Sequence, residues 1–407
     1  MNFHDAVCPF DDEDDDGEVY IDESDIIDAI SLDDEDLPDA DDDSESDHEA
    51  NDDAVRIFKL DSSKILAALG FLLTRKLQLY SVACSPTDAS LVAAGGNSNE
   101  GFIWRIGQED LKFHLQGHTD SISSLAFSYD GQFLASGSLD GNVRVWDAFG
   151  NLQGELEGPG AQGGIEWIRW HPREHKILAG CSDSTVWMWD AVSFNFLNIF
   201  GHGDGRVTCG DFTSDGSRIC AGSEDSTLMI RDVEGGGRNH ILRRQPGHPY
   251  HTDRIKCLAI SSTSTLALTG SEDGSIYLAN INTGRVIDAL APRSESIECV
   301  GFAPSCSWAA VGGMDEKLII WDIEHSLFRD SFNHEHGVSC LAWLGAWNVA
   351  AGCVDGKVRL WDSRSGECVK KFMVHKKAIE SLSVSADQNF LFSASIDGKA
   401  VAYDMRM

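Results

Sequence analysis

Short apolar runs broken by turn residues recur along the chain from about residue 55 to its end. In residues 117–147, Ile122, Leu125, Ala126 and Phe127 belong to one run, which Tyr129-Asp130-Gly131 closes. Phe133, Leu134 and Ala135 form a second, closed by Leu139-Asp140-Gly141, and Val143, Val145 and Trp146 alternate in a third. Three short strands separated by turn residues, with a fourth after Trp146-Asp147, predict one four-stranded sheet. Such a sheet cannot bury both faces alone, whereas copies stacked around an axis bury each other.

The unit recurs eight times. An Asp is followed six residues later by Trp at Asp140/Trp146, Asp183/Trp189, Asp315/Trp321 and Asp355/Trp361. Asp225/Arg231, Asp273/Ala279 and Asp397/Tyr403 keep the Asp and lose the indole, and the first copy has Trp104 with Ser98 at the Asp position. Successive Trp-site positions lie 40 to 48 residues apart. A period near that value with a terminal Trp-Asp pair predicts an all-β, eight-bladed WD-repeat β-propeller over residues 54–407. Residues 55–60 (VRIFKL) are expected to supply the outer strand missing from the last blade, so that no long edge stays unpaired. The entry to the first blade is irregular. Residues 64–80 replace the usual Gly-His opening and contain a nine-residue apolar run, 65–73. That is short of the ~20 residues a bilayer span needs. An extra packed segment, a membrane-touching loop and an artefact of the gene model all remain open, the first and last being favoured.

His118, Ser136, Asp140 and Trp146 suit a hydrogen-bonded link between loop, strand and turn. One Ser-His-Asp set invites a nucleophile reading. Here the set recurs in degraded form from blade to blade, while a catalytic triad occurs once. The expectation is a structural network and no catalytic residue.

Charge changes the picture at the N-terminus. Of the net −34, residues 1–53 hold 25 Asp/Glu and no Lys or Arg, while the remaining chain carries 41 acidic and 32 basic side chains. Residues 1–53 are therefore expected to be a disordered acidic tail, either solubilising or mimicking a polyanion. Tyr20-Ile21, Ile26-Ile27 and Ile30 punctuate it as a motif that could order on binding. Direct nucleic-acid binding is not expected, because it rests on many Lys/Arg–phosphate contacts. No secretory signal, membrane span, metal-ligand spacing or phosphate-binding glycine loop is read, so no metal or cofactor is expected. His334-Glu335-His336 lacks a third ligand nearby. Eleven scattered cysteines point to a reducing cytoplasmic compartment, possible also in the nucleus. A monomer is expected.

First-strand entries and second-to-third-strand turns share one propeller face around the central opening. Aligned on the Trp sites, the first set reads Tyr80, Ser123, Glu166, Thr208, Lys256, Glu298, Ser339 and Glu380. The second includes Leu139, Ser182, Glu224, Glu272, Met314, Val354 and Ile396. Glu166, Glu224, Glu272, Glu298 and Glu380 should converge, with Lys256 and nearby Arg254 as exceptions. A ring of like charge favours a basic peptide as ligand. Tyr80, Leu139, Met314, Val354 and Ile396 would be its apolar anchors.

The segments IEWIRWHPREHKILAGCSDSTVWMWD (165–190) and YSVACSPTDASLVAAGG (80–96), with the acidic leader, closely resemble the angio-associated migratory cell protein family of WD-repeat proteins. That resemblance implies a mainly cytosolic eight-bladed propeller. It also implies kinship with a fungal dedicated chaperone that grips the basic N-terminus of a large-subunit ribosomal protein on an acidic face. Two alternatives stay open. Trp361-Asp362-Ser363-Arg364 matches the WDxR box of cullin-type ubiquitin ligase substrate receptors, which makes Arg364 a candidate adaptor contact. A general signalling scaffold is the other.

Overall fold

The computed structural model describes residues 77–406 apart from positions 161, 236, 238 and 291. It also describes three short upstream strands, Tyr20–Ile21, Ile26–Ile30 and Phe58–Lys59. The irregular stretch at 64–80 lies outside the described residues up to position 76. Eight antiparallel sheets follow one another, and their first strands are Leu79–Cys84, Ile122–Phe127, Ile165–Trp170, Val207–Phe212, Ile255–Ile260, Ile297–Phe302, Val338–Leu344 and Ile379–Val384. Each begins a blade, and the first strands touch all the way round, the eighth meeting the first. The eight-bladed propeller read from the repeat period is the observed fold.

Blade-to-blade packing explains several repeated residue types. A Cβ on Gly137 of blade 2 would lie 2.7 Å from the Ile165 side chain of blade 3, and one on Gly352 of blade 7 would lie 2.9 Å from Ile379 of blade 8. Only glycine lets the sheets approach this closely. Buried serines stitch neighbours together: Leu125 N–H donates to Ser81 Oγ at 3.1 Å and Ile168 N–H to Ser124 Oγ at 3.2 Å. The same bond closes the ring, where Val82 N–H of blade 1 donates to Ser381 Oγ of blade 8 at 3.4 Å. Leu79, Val82, Trp104, Phe392, Ala394 and Ala402 form one apolar cluster across that junction.

The outer strand of the last blade is Ile26–Ile30, antiparallel to Ala400–Asp404, and Phe58–Lys59 lies outside it and parallel to it. Phe58–Lys59, the described part of residues 55–60, thus joins the last blade's sheet as its outermost strand, with Ile26–Ile30 between it and the third strand. Tyr20–Ile21 pairs parallel with Cys368–Phe372 of blade 7. Within the acidic leader, Tyr20–Ile21 and Ile26–Ile30 thus pair with propeller strands. The rest of that segment lies outside the described residues.

The hydrogen-bonded network is complete in blade 2. His118 Nδ1 meets Asp140 Oδ2 at 2.9 Å, its Nε2 meets Ser136 Oγ at 2.8 Å, and Trp146 Nε1 donates to Ser136 Oγ at 2.9 Å. Burial raises the Asp140 pKa, but hydrogen bonds from His118, Thr119 and Asn142 outweigh it and bring the group down to about 2. Blade 8 repeats the set with His375, Asp397, Ser393 and Tyr403, and blade 5 has His251 against Thr269 at 2.8 Å. Elsewhere the expectation fails in part. The position of Ser136 is Ala94 in blade 1, Val311 in blade 6 and Ala351 in blade 7. With no hydroxyl there, the Trp104, Trp321 and Trp361 Nε1 atoms have no hydrogen-bond partner. Trp189 Nε1 donates to Glu157 O at 3.1 Å instead. Asp183 and Asp225 accept from Thr185 and Thr227, and Asp355 lies 3.5 Å from Lys357 and 3.6 Å from Arg359.

In blade 6 an arginine takes the histidine's part. Arg293 Nε donates to Asp315 Oδ2 at 2.6 Å and a second nitrogen grips Oδ1. Its remaining N–H groups reach Val311 O at 3.1 Å and Lys317 O at 2.6 Å.

Buried histidines make stability fall with acid. Burial lowers the pKa of His171, His202, His251 and His334, the last to about 3, where Arg359 adds to the effect. Their folded pKa values lie below the unfolded value of ~6.5. The stability they carry is present above that pH and is lost as pH falls below it, because the unfolded chain binds the protons. The denaturation midpoint should therefore drop between about pH 6.5 and 5. In His334→Gln the slope in denaturation free energy should flatten by up to ~1.4 kcal/mol per pH unit, one proton's worth. An unchanged slope in urea titrations across that range would count against this account.

Candidate functional site

All eight first strands carry a β-bulge at their second residue, so Tyr80, Ser123, Glu166, Thr208, Lys256, Glu298, Ser339 and Glu380 each sit outside the paired register. A bulge re-aims its side chain. The residue before each turn is fixed just as regularly. Backbone N–H groups of Leu139, Ser182, Glu224, Glu272, Met314, Val354 and Ile396 donate to the carbonyls of Ser121, Gly164, Arg206, Arg254, Ser296, Gly337 and Ala378. Three positions per blade thus meet at the same end of the ring.

Three of the eight bulge residues are structural. Ser123 Oγ donates to Gly137 O at 3.1 Å and to Ile165 O of the next blade at 2.5 Å. Thr208 and Ser339 make the same two bonds, Thr208 with Gly222 O and Ile255 O, and Ser339 with Gly352 O and Ile379 O. The other five, Tyr80, Glu166, Lys256, Glu298 and Glu380, are left to shape the rim.

The five carboxylates do not face an unopposed ring of like charge: beside Lys256 and Arg254, the exceptions read from the sequence, Arg206 also opposes them. Lys256 Nζ sits 2.6 Å from Glu298 Oε1. Arg254 lies 3.8 Å from Glu224 and also pairs with Glu272, and Arg206 reaches Glu166 at 3.4 Å. Arg206 escaped notice because only two positions per blade were aligned. The residue preceding each first strand is a third rim position, and its alignment displays both arginines. Glu380 has no cation against it among the described ion pairs. Burial, and then the Glu298 carboxylate, raise its pKa. Burial also raises that of Glu166, where Arg206 opposes and Glu224 reinforces the shift. Tyr80 is pushed up by burial and by Glu380, and its hydroxyl donates to Gln78 Oε1 at 3.1 Å.

The rim divides into two arcs. Blades 3 to 5 hold Glu166, Glu224 and Glu272 among Arg206, Arg254 and Lys256. Met314, Val354 and Ile396 follow on blades 6, 7 and 8, with Tyr80 and Leu139 continuing on blades 1 and 2. Met314, Val354 and Leu139 are exposed and Ile396 is half-buried. Glu298 and Glu380 place charge inside the apolar arc. Five carboxylates against three cations give an acidic surface with greasy anchors beside it, suited to an extended segment carrying both basic and apolar side chains.

Arg364 lies at the turn after a third strand. Strands alternate in direction, so it is on the opposite face from the rim. Its Nε and a terminal nitrogen donate to Asp362 at 3.1 and 2.7 Å. Arg406 grips Asp404 in the same way in blade 8, so this geometry is a turn device used twice. His334, Glu335 and His336 diverge: His334 Nδ1 faces Cys353 Sγ at 3.3 Å, while Glu335 is held by Lys357 and Lys371. The described cysteines are free thiols, and burial raises the pKa of several, Cys340 and Cys257 among them. Among the described residues no helix is long and apolar enough to cross a membrane.

Seven stretches, 109–147, 150–190, 194–232, 240–280, 286–322, 328–362 and 366–404, match the family described as WD domain, G-beta repeat. Each joins the outer strand of one blade to the first three strands of the next. Angio-associated migratory cell protein of Homo sapiens is 31% identical over 359 residues, 84% of this chain and 80% of the relative. An uncharacterized WD repeat-containing protein of Schizosaccharomyces pombe is 25% identical over 400 residues, 96% of this chain and 98% of the relative. Among solved structures, Chaetomium thermophilum Sqt1 bound to the N-terminus of the ribosomal protein L10 superposes with a TM-score of 0.73 at 22% identity, over 81% of this chain and 98% of that one. Saccharomyces cerevisiae Sqt1 gives a TM-score of 0.73 at 18% identity, over 83% and 98%.

Proposed function

Because the chain belongs to the WD-repeat family and, within it, to the family of the angio-associated migratory cell protein, we propose that it is a non-enzymatic escort, acting in the cytoplasm, for a basic segment of a large-subunit ribosomal protein. The observation that carries this reading is the rim itself: five carboxylates, three intramolecular cations and an adjacent apolar arc. The fold shared with a protein whose complex holds a ribosomal protein N-terminus supports it. A short basic segment is sticky toward RNA, and carboxylates at the rim would mask it until assembly.

The intramolecular cations set how binding works. Each incoming Lys or Arg competes with Arg206, Arg254 or Lys256 for a carboxylate already engaged. Lys256→Gln, which frees Glu298, is therefore expected to tighten binding of a basic peptide about fivefold, equivalent to ~1 kcal/mol. Calorimetry of the variant checks this, and weaker binding would show that Lys256 contacts the ligand instead.

The decisive experiment is titration calorimetry of the full chain with the basic N-terminal peptide of that ribosomal protein at two salt concentrations. Saturable binding weakened by salt supports the escort reading. No binding by the folded chain overturns it and turns attention to the ligase adaptor, whose capture should then be lost in Arg364→Ala.

A further inference from the structure

The wall of the propeller departs from its repeat between blades 4 and 5. The outer strand of blade 4, His240–Leu242, has only three residues, and the Trp-site spacing here is the longest in the chain. The connection turns at Pro246-Gly247, where Gln245 and His248 exchange backbone hydrogen bonds of 3.1 and 2.9 Å. This loop and the outer strand of blade 5, Arg285–Leu290, enclose a groove of about 790 Å³. Its floor is firm: Tyr250 and Tyr277 are buried, their ring centroids 5.0 Å apart. Ile241, Val286 and Ile287 are 47, 37 and 53% exposed along it.

The groove is basic on an acidic protein. Arg243 and Arg285 line it and Arg244 borders it, against a single lining carboxylate, Asp288. Among the described residues none of the three arginines has an ion-pair partner. Arg285–Leu290 is also the last strand of its sheet, whereas blades 7 and 8 each carry a fifth strand on that side. Blade edges in this fold therefore accept extended chain.

We propose that this groove docks an extended acidic segment of a partner protein, with an aliphatic or aromatic residue among its Asp and Glu, along the free edge of Arg285–Leu290. Guanidinium groups grip carboxylates in paired hydrogen bonds, which lysines cannot reproduce. The apolar residue would cover Ile241 and Ile287, and the backbone would complete the exposed edge. The groove lies on the wall and the rim on an axial face, so the chain could hold an acidic and a basic segment at once.

The test uses the full chain and a fluorescent peptide of a dozen residues in which Asp and Glu surround one Leu and one Phe, followed by anisotropy. Saturable binding is expected, undisturbed by a basic rim peptide and weakened roughly tenfold or more in Arg243→Glu with Arg285→Glu. Ile287→Ser should weaken it as well, and all three side chains are exposed enough for the variants to keep the wild-type Tm. Three results overturn the proposal. One is no binding to the wild type. The second is equal binding by the double variant. The third is equal binding of a peptide lacking Leu and Phe, which would mean charge attraction alone. If the probe binds only after the acids at 11–16 become Asn and Gln, the groove belongs to this chain's own leader rather than to a partner.

Discussion

The full chain carrying Glu224→Lys, Glu272→Lys and Glu298→Lys is expected to lose at least about 100-fold in affinity for the basic peptide, ~3 kcal/mol or more. The loss is large because the reversals act on two levels. They remove three of the five rim carboxylates. They also set new ammonium groups beside Arg254 and Lys256, which now have nothing to neutralise them. An acidic rim becomes a cationic one, and like charges repel the incoming segment. Glu224 and Glu272 are half-exposed, so their replacement leaves the fold intact. Glu298 is more enclosed, and the companion variant Glu298→Gln keeps its shape while removing the charge. Calorimetry with a thermal melt of each variant separates binding from folding. A folded triple variant that retains affinity would remove the rim from consideration and leave the proposed escort function without a site.

Arg293→Ala should produce the largest loss of stability from a single substitution, ~3–5 kcal/mol in denaturant unfolding. Arg293 and Asp315 side chains are 3 and 11% exposed, and the guanidinium also satisfies two carbonyls. Removing it leaves a carboxylate enclosed without a counter-charge and strands two acceptors. Arg293→His should recover part of the loss, because His118 and His375 meet the corresponding Asp in blades 2 and 8. If alanine costs less than ~1 kcal/mol, water reaches Asp315 and the pair is a surface feature.

How far the sequence could be read follows from which signals repeat. The blade period and the Asp and Trp marks occur often enough to fix eight sheets despite lost indoles. The rim positions were legible for the same reason: each first strand has the same bulge, so one alignment places all eight. Arg293 was hidden because blade 6 lacks the histidine that its neighbours carry at that place, His251 and His334, and nothing local says that an arginine four residues before the strand fills a histidine's place. Arg206 was missed at an equally ordinary position. The unpartnered Trp321 and Trp361 were foreseeable in principle, since Val311 and Ala351 stand where Ser136 does.

By itself the sequence determined an eight-bladed propeller with an acidic leader, because apolar periodicity and turn chemistry act within some forty residues and recur. Tertiary structure alone decided what crosses blades. It set Ile26–Ile30 directly against the last blade's third strand and Phe58–Lys59 outside it, since two extended segments compete there and only pairing geometry chooses. It set Arg206, Arg254 and Lys256 against the carboxylates, because an ion pair between neighbouring blades depends on how those blades stack. It also opened the groove between blades 4 and 5, where a shortened strand leaves an edge that no residue in the sequence announces.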